Sequence, residues 1–146
     1  MGDLTRLPSG LGLFDLVVAS NVFEHLDDPA QKLKTVLDSL DRGGEFLMVV
    51  PPIIDQASLL DNRRNPFHRS NLFVGEWLAL LTARFGSVRT FRHLLGVGGE
   101  LDFSNPFPSR FSAADFVFLE IPAESLGTLP TLGAVYFCGG ATKEVD

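Results

Sequence analysis

Two short apolar runs dictate most of what this chain can fold into. Phe14–Ser20, "FDLVVAS", is almost continuously apolar, and residues 45–50, "EFLMVV", repeat the pattern. Strands read that way when both faces are covered, as in parallel sheets. Between the runs, Leu33, Val36, Leu37 and Leu40 recur at helical spacing, with Lys32, Lys34 and Asp38 outside. Asp27 or Asp28 is placed to cap that helix, and Pro29 fits its first turn. Gly43 and Gly44 are expected to stop it. Strand, helix and strand in that order make a βαβ unit, so an α/β fold is expected.

Further along, residues 53–65 read as a polar loop. Ser70 or Asn71 is placed to cap a second helix whose apolar stripe is Trp77, Leu78, Leu81 and Phe85, with Gly86 at its end. Residues 87–95, 114–121 and 134–138 are strand candidates, with Arg89 and Asp115 at their margins. Residues 101–111, rich in Phe, Pro and Ser, read as irregular.

The 146 residues suffice for a single domain with one core, and 45% of them are hydrophobic. A formal net charge of −6 disfavours nucleic acid as partner, since phosphate contacts need clustered Lys and Arg. Arg63 and Arg64 are the nearest approach to a basic patch and read as a solvated loop. Cys138 is the single cysteine, so no intrachain disulfide can form. Its setting, "AVYFCGG", is that of a buried strand. The N-terminus lacks the apolar stretch of a signal peptide. No run approaches the ~20 apolar residues of a membrane span. A cytoplasmic protein without membrane contact is expected.

Open α/β sheets bind ligands beyond the carboxyl ends of their strands. Two such ends are legible: Ser20 with Asn21, and Pro51 with Pro52. Lying on neighbouring strands, they should border one cleft, facing Asn21, Phe23, Glu24 and His25 from one turn and residues 51–54 from the other. His25 reads three ways: a general base, a partner of Glu24 on a metal, or a residue packing the helix entry. A metal needs further ligands, and the sequence places none, so no metal is assigned.

Four stretches carry a resemblance: "GDLTRLP", "FDLVVASNVFEHLDDP", "LDRGGEFLMVVPP" and "NPFHRSNLFVGEWLALLTARFG". In order and spacing they resemble the class I S-adenosylmethionine-dependent methyltransferases, most closely the small-molecule branch with ubiquinone- and menaquinone-type enzymes. The likeness runs through Gly86. It implies a Rossmann-like sheet, S-adenosylmethionine as cofactor and a small-molecule methyl acceptor. It implies that Asp3 accepts the adenine amino group and Leu4 lies against the ring. Ser20, Asn21 and Val22 would approach the methionine part. Glu24 and His68 would lie toward the substrate, with His25 as catalytic base. Asp3 also reads as a simple loop residue, and His68 as a loop hydrogen-bonder.

The family's glycine-rich cofactor loop lies upstream of the position that Asp3 matches, where this sequence has Met1 and Gly2. "GVGGE", Gly96 to Glu100, does not replace it, because it follows a strand without opening a helix. The expectation is therefore one partial methyltransferase domain over residues 1–146, truncated at its N-terminal half. The alternative is a non-catalytic fragment or partner subunit. Phe14–Ser20 would be left as an apolar edge, open to a homodimer or a complementing chain.

Overall fold

A computed structural model of the chain describes residues 12–97, 100–101 and 116–141. The element order is β1 (Phe14–Ser20), α1 (Pro29–Ser39), β2 (Leu40–Val50), α2 (Gln56–Arg63), α3 (Val74–Thr82), β3 (Phe85–Val97), β4 (Glu100–Leu101), β5 (Phe116–Ile121) and β6 (Ala134–Ala141). One sheet carries them in the order β1-β2-β6-β3-β4, with β5 also paired to β3. β1 and β2 are parallel, from Leu16 opposite Glu45 to Ser20 opposite Val49. β6 inserts antiparallel between β2 and β3.

Local signals explain α1. The Asp28 side chain accepts from Gln31 N–H, and Pro29 takes the first position, where no intrahelical N–H is needed. Leu33, Val36 and Leu37 are buried, as their spacing requires. The helix stops at Ser39, earlier than Gly43 and Gly44 would have it, because Leu40 turns to extended backbone and starts β2 fully buried. The two glycines instead shape a break in register: Phe14 pairs with Leu40, then Leu16 with Glu45. Gly43 takes φ +82, and a Cβ on Gly44 would sit 2.8 Å from the Phe14 carbonyl oxygen.

Three other expectations are corrected. Residues 53–65 contain a helix, α2, whose N-cap Asp55 accepts from Ser58 N–H at 2.8 Å while Ser58 Oγ accepts from Asp55 N–H. α3 begins after Phe73 rather than at Ser70 or Asn71; Phe73 N–H donates to the Glu76 carboxylate at 2.7 Å. It ends at Thr82, so Phe85 and Gly86 belong to β3. Finally, β1 is not covered on both faces: Ala19 is buried, but Leu16 and Val18 are 48% and 56% exposed on the terminal strand. Asp115 and most of residues 101–111 lie outside the described residues.

The core gathers Phe23, Leu33, Phe46, Met48, Trp77, Leu81 and Tyr136 between α1, α3 and the sheet. Phe23 and Phe46 pack with centroids 5.6 Å apart, and Phe23 meets Trp77 edge-on at 6.3 Å. Cys138 is buried within β6, and burial pushes its thiol up to about 12, so it serves as a small apolar residue. Gly96 and Val97 pair antiparallel with Leu101 and Glu100, so these ends of the stretch are strand.

Candidate functional site

The site lies where β1 and β2 end. Asn21, the first residue beyond β1, has φ +53, and its N–H donates to Val49 O at 2.9 Å. Asn is one of the few L-residues that enter this region readily. The bend turns the chain into a 3-10 turn, Phe23–His25, which the buried Phe23 pins to the core.

Phe23 sets the two residues after it. Glu24 is 2% exposed, and its Oε2 has no hydrogen-bond partner among the described residues. Burial raises the Glu24 pKa, offset in part by its own backbone N–H and by His25. His25 stands outside: its Nδ1–H donates to Phe67 O at 2.9 Å, so Nε2 keeps the lone pair, 3.8 Å from Glu24 Oε1.

Residues 67–70 close over this turn. The Glu24 carbonyl accepts from both Arg69 N–H and Ser70 N–H, at 2.8 and 2.9 Å. The Ser70 hydroxyl donates to Leu26 O, and Arg69 pairs with Asp27 at 3.0 Å. His68 is thereby set against His25, ring centroids 4.9 Å apart and nearly perpendicular.

An amide chain fixes the protonation of His68. Asn62 donates its NH2 to Asn71 Oδ1 at 2.9 Å, which leaves its Oδ1 to accept from His68 Nδ1–H at 2.7 Å. Asn65 Oδ1 accepts from Phe67 N–H, so its NH2 donates to His68 Nε2 at 3.0 Å. Burial and the neighbouring His25 lower the His68 pKa, which favours this neutral form.

His68 also lines a cavity of about 350 Å³ with Pro51, Pro52, Ile53, Ser58, Asp61, Asn62 and Asn65. The turn after β2 therefore borders this cavity, whereas Ser20, Asn21 and His25 are not among its lining. Ser20 and Asn21 are exposed at the same end of the sheet, and Val22 packs partly into the core. The Asn21 side-chain amide makes no hydrogen bond among the described residues. Asp3 and Leu4 lie outside the described residues.

Sequence reasoning missed Ser58, Asn62 and Asn65, which depend on α2. The available signal was Asp55 followed three residues later by Ser58, shortly after Pro51 and Pro52. That spacing is a helix start.

The comparisons fit this architecture. The sequence model of a methyltransferase domain family matches residues 1–48. A probable S-adenosylmethionine-dependent methyltransferase of Mycolicibacterium smegmatis is 38% identical over 103 residues, which is 69% of this chain and 40% of that protein. The chain thus spans about two-fifths of the relative's length. A possible histamine N-methyltransferase of Thermotoga maritima superposes with a TM-score of 0.65 at 18% identity, over 97% of this chain and 62% of that one. An S-adenosylmethionine-dependent methyltransferase of Archaeoglobus fulgidus gives 0.54 at 16% identity, over 93% and 62%. At those identities the likeness is one of fold. With sequence matches to methyltransferases and a sheet that superposes on theirs over nearly the whole of this chain, the chain is similar to S-adenosylmethionine-dependent methyltransferases and shares their Rossmann-like α/β fold.

Proposed function

We propose that this chain takes part in methyl transfer from S-adenosylmethionine to a small-molecule acceptor, in the manner of the ubiquinone-like branch. The reading places it as the second half of a methyltransferase domain, working in the cytoplasm. The observation that carries it is the convergence of Glu24 and His25 on His68, which itself lines a cavity at the carboxyl end of β2, beside the end of the parallel strand β1. That is where open α/β sheets bind ligands.

The described residues fit the methionine end of the cofactor. Ser20 and Asn21 are exposed at the strand end, and the Asn21 side-chain amide is free to meet a ligand. Asp3 and Leu4 would hold the adenine. When bound, S-adenosylmethionine supplies a sulfonium methyl group and is left as a neutral thioether.

This chain's residues do the rest. The cavity beside α2 holds the acceptor, with Ser58, Asn62 and Asn65 as polar contacts. For a hydroxyl acceptor, His25 Nε2 takes the proton that its oxygen loses as the new O–CH3 bond forms. The Nδ1–H bond to Phe67 O keeps that nitrogen the basic one. Most of the contribution is positioning.

A titration of the isotope-labelled chain with S-adenosylhomocysteine tests the cofactor part. Amide shifts should move at residues 20–22, with affinity weaker than about 100 micromolar because the contacts assigned to the cofactor are few. Saturating ligand with no shift at those amides would sink it. The second reading, a non-catalytic partner subunit, is favoured by one observation: Leu16 and Val18 stand bare on the terminal strand.

A further inference from the structure

A buried carboxylate and two imidazoles meet here. One ligand atom from each of Glu24, His25 and His68 lies within 4.8 Å of the others. Three independent features give that proximity a direction.

The first is Glu24. A carboxylate 2% exposed, with Oε2 unpartnered among the described residues, is an expensive group to leave in a core. Buried charges are ordinarily paired or bound to a metal, and among the described residues this one's ion-pair contact is a long one, to His25 at 3.8 Å.

The second is the state of the histidines. Each gives its Nδ1–H to a carbonyl oxygen, Phe67 O for His25 and Asn62 Oδ1 for His68. Metal-ligating histidines are held in this way, with the outer nitrogen bonded to an acceptor and the inner lone pair left for the ion. The His68 Nε2 lone pair now receives the Asn65 amide, a single neutral hydrogen bond that an ion would replace.

The third is the ligand set. Two histidines and one glutamate, with a remaining position open, is a known three-ligand arrangement for zinc. Metal–ligand bonds near 2.0–2.1 Å put tetrahedral ligand atoms about 3.4 Å apart. The 3.8 Å between Glu24 Oε1 and His25 Nε2 needs slight closing and the 4.8 Å span of the three ligand atoms needs more, which His25, on an exposed turn, has room to supply.

We propose that Glu24, His25 and His68 form a binding site for a divalent transition-metal ion, at the wall of the cavity that His68 lines. Binding by these three side chains is independent of methyl transfer. The assignment of the open position to an acceptor oxygen rests on the transfer reading. There the ion occupies His25 Nε2 and itself lowers the pKa of the acceptor hydroxyl, replacing His25 as the activating group.

The test uses the untagged full chain, stripped with chelator and titrated calorimetrically with zinc chloride, then with cobalt chloride followed by visible absorption. One equivalent of zinc should bind, and cobalt should show the intense absorption of a four- or five-coordinate site. Glu24→Gln, His25→Gln and His68→Gln should each weaken zinc at least tenfold and abolish the cobalt band. Asp61→Asn, an exposed carboxylate beside the same cavity, should leave both unchanged. Without metal, Glu24→Gln should melt no lower than wild type, since it removes a buried unpaired charge, so its lost binding is not unfolding. Should Glu24→Gln nevertheless unfold, the exposed His25→Gln variant carries the test alone. No saturable zinc binding, or equal binding by the triple variant, overturns the proposal. S-adenosylhomocysteine shifts at residues 20–22 persisting beside such a result would leave the transfer reading standing.

Discussion

His25 and His68, far apart in sequence, lie ring against ring with centroids 4.9 Å apart. The contact exists because the Glu24 carbonyl ties the 68–70 segment down through two N–H donors. Two imidazoles at this range disfavour double protonation, and burial adds to that for His68.

A pH dependence of stability follows. His68 takes a proton near 6.5 when unfolded but only at lower pH when folded, so the unfolded chain binds more protons between those values. The stabilisation is complete above the ordinary value and is lost as pH falls through the folded one. Glu24 acts oppositely: its raised pKa makes the folded chain hold a proton above 4.5, so its contribution declines as pH rises through the folded value. Urea melts of the metal-free chain between pH 5 and 8 should show the acid-side loss shrinking in His68→Gln. An identical slope in wild type and variant would count against the partly buried, neutral assignment.

Gly44 should tolerate no side chain. A Cβ there meets the Phe14 carbonyl at 2.8 Å, and backbone of a paired strand yields poorly. Gly44→Ala is expected to cost about 1–3 kcal/mol. Gly43, with φ +82 and open space around it, makes the contrast: Gly43→Asn should be nearly neutral. Chemical denaturation of the two variants separates a steric requirement from a conformational one.

Phe23 joins the site to the core, through Phe46 on one side and Trp77 on the other. Phe23→Ala should cost about 3–5 kcal/mol. Phe23→Leu, which keeps much of the volume, should cost less while still loosening Glu24 and His25. If Phe23→Leu left the amide exchange of residues 24–26 unchanged, Phe23 would not be what holds the turn.

What was legible in the sequence follows the range of the interactions. β1 was readable to the residue, and α1 from its cap, because Asp28, Pro29 and the spacing from Leu33 to Leu37 act within a few residues. α2 was not, because only Leu59 of its apolar residues is buried and no stripe marks it. The end of α1 was misplaced because the demand on Gly44 comes from Phe14, across the sheet. Glu24 and His25 were visible as a pair. That His68 belongs with them depends on backbone bonds from residues 69 and 70 to Glu24, which carry no signature in side-chain type.

The last prediction concerns β1. Leu16 and Val18 are about half exposed on a terminal strand whose outer backbone edge has no partner among the described residues, with Leu13 exposed just before it. Burying one such side chain is worth roughly 1.5–3 kcal/mol. An unpaired strand edge, with Asp15 as the one charge in β1, adds a row of backbone donors and acceptors ready to pair. A complementing methyltransferase half or a second copy of the chain would satisfy both. The isolated chain should therefore self-associate in sedimentation velocity as concentration rises. The variant that tests this must face outward. Val17 packs against the core, so Val17→Lys would confound association with unfolding. Leu16→Lys with Val18→Lys places charge on the bare face and should give a monomer with an unchanged melting temperature. A wild-type chain that stays monomeric at high concentration, with a cooperative melt, would show that this edge is stable uncovered.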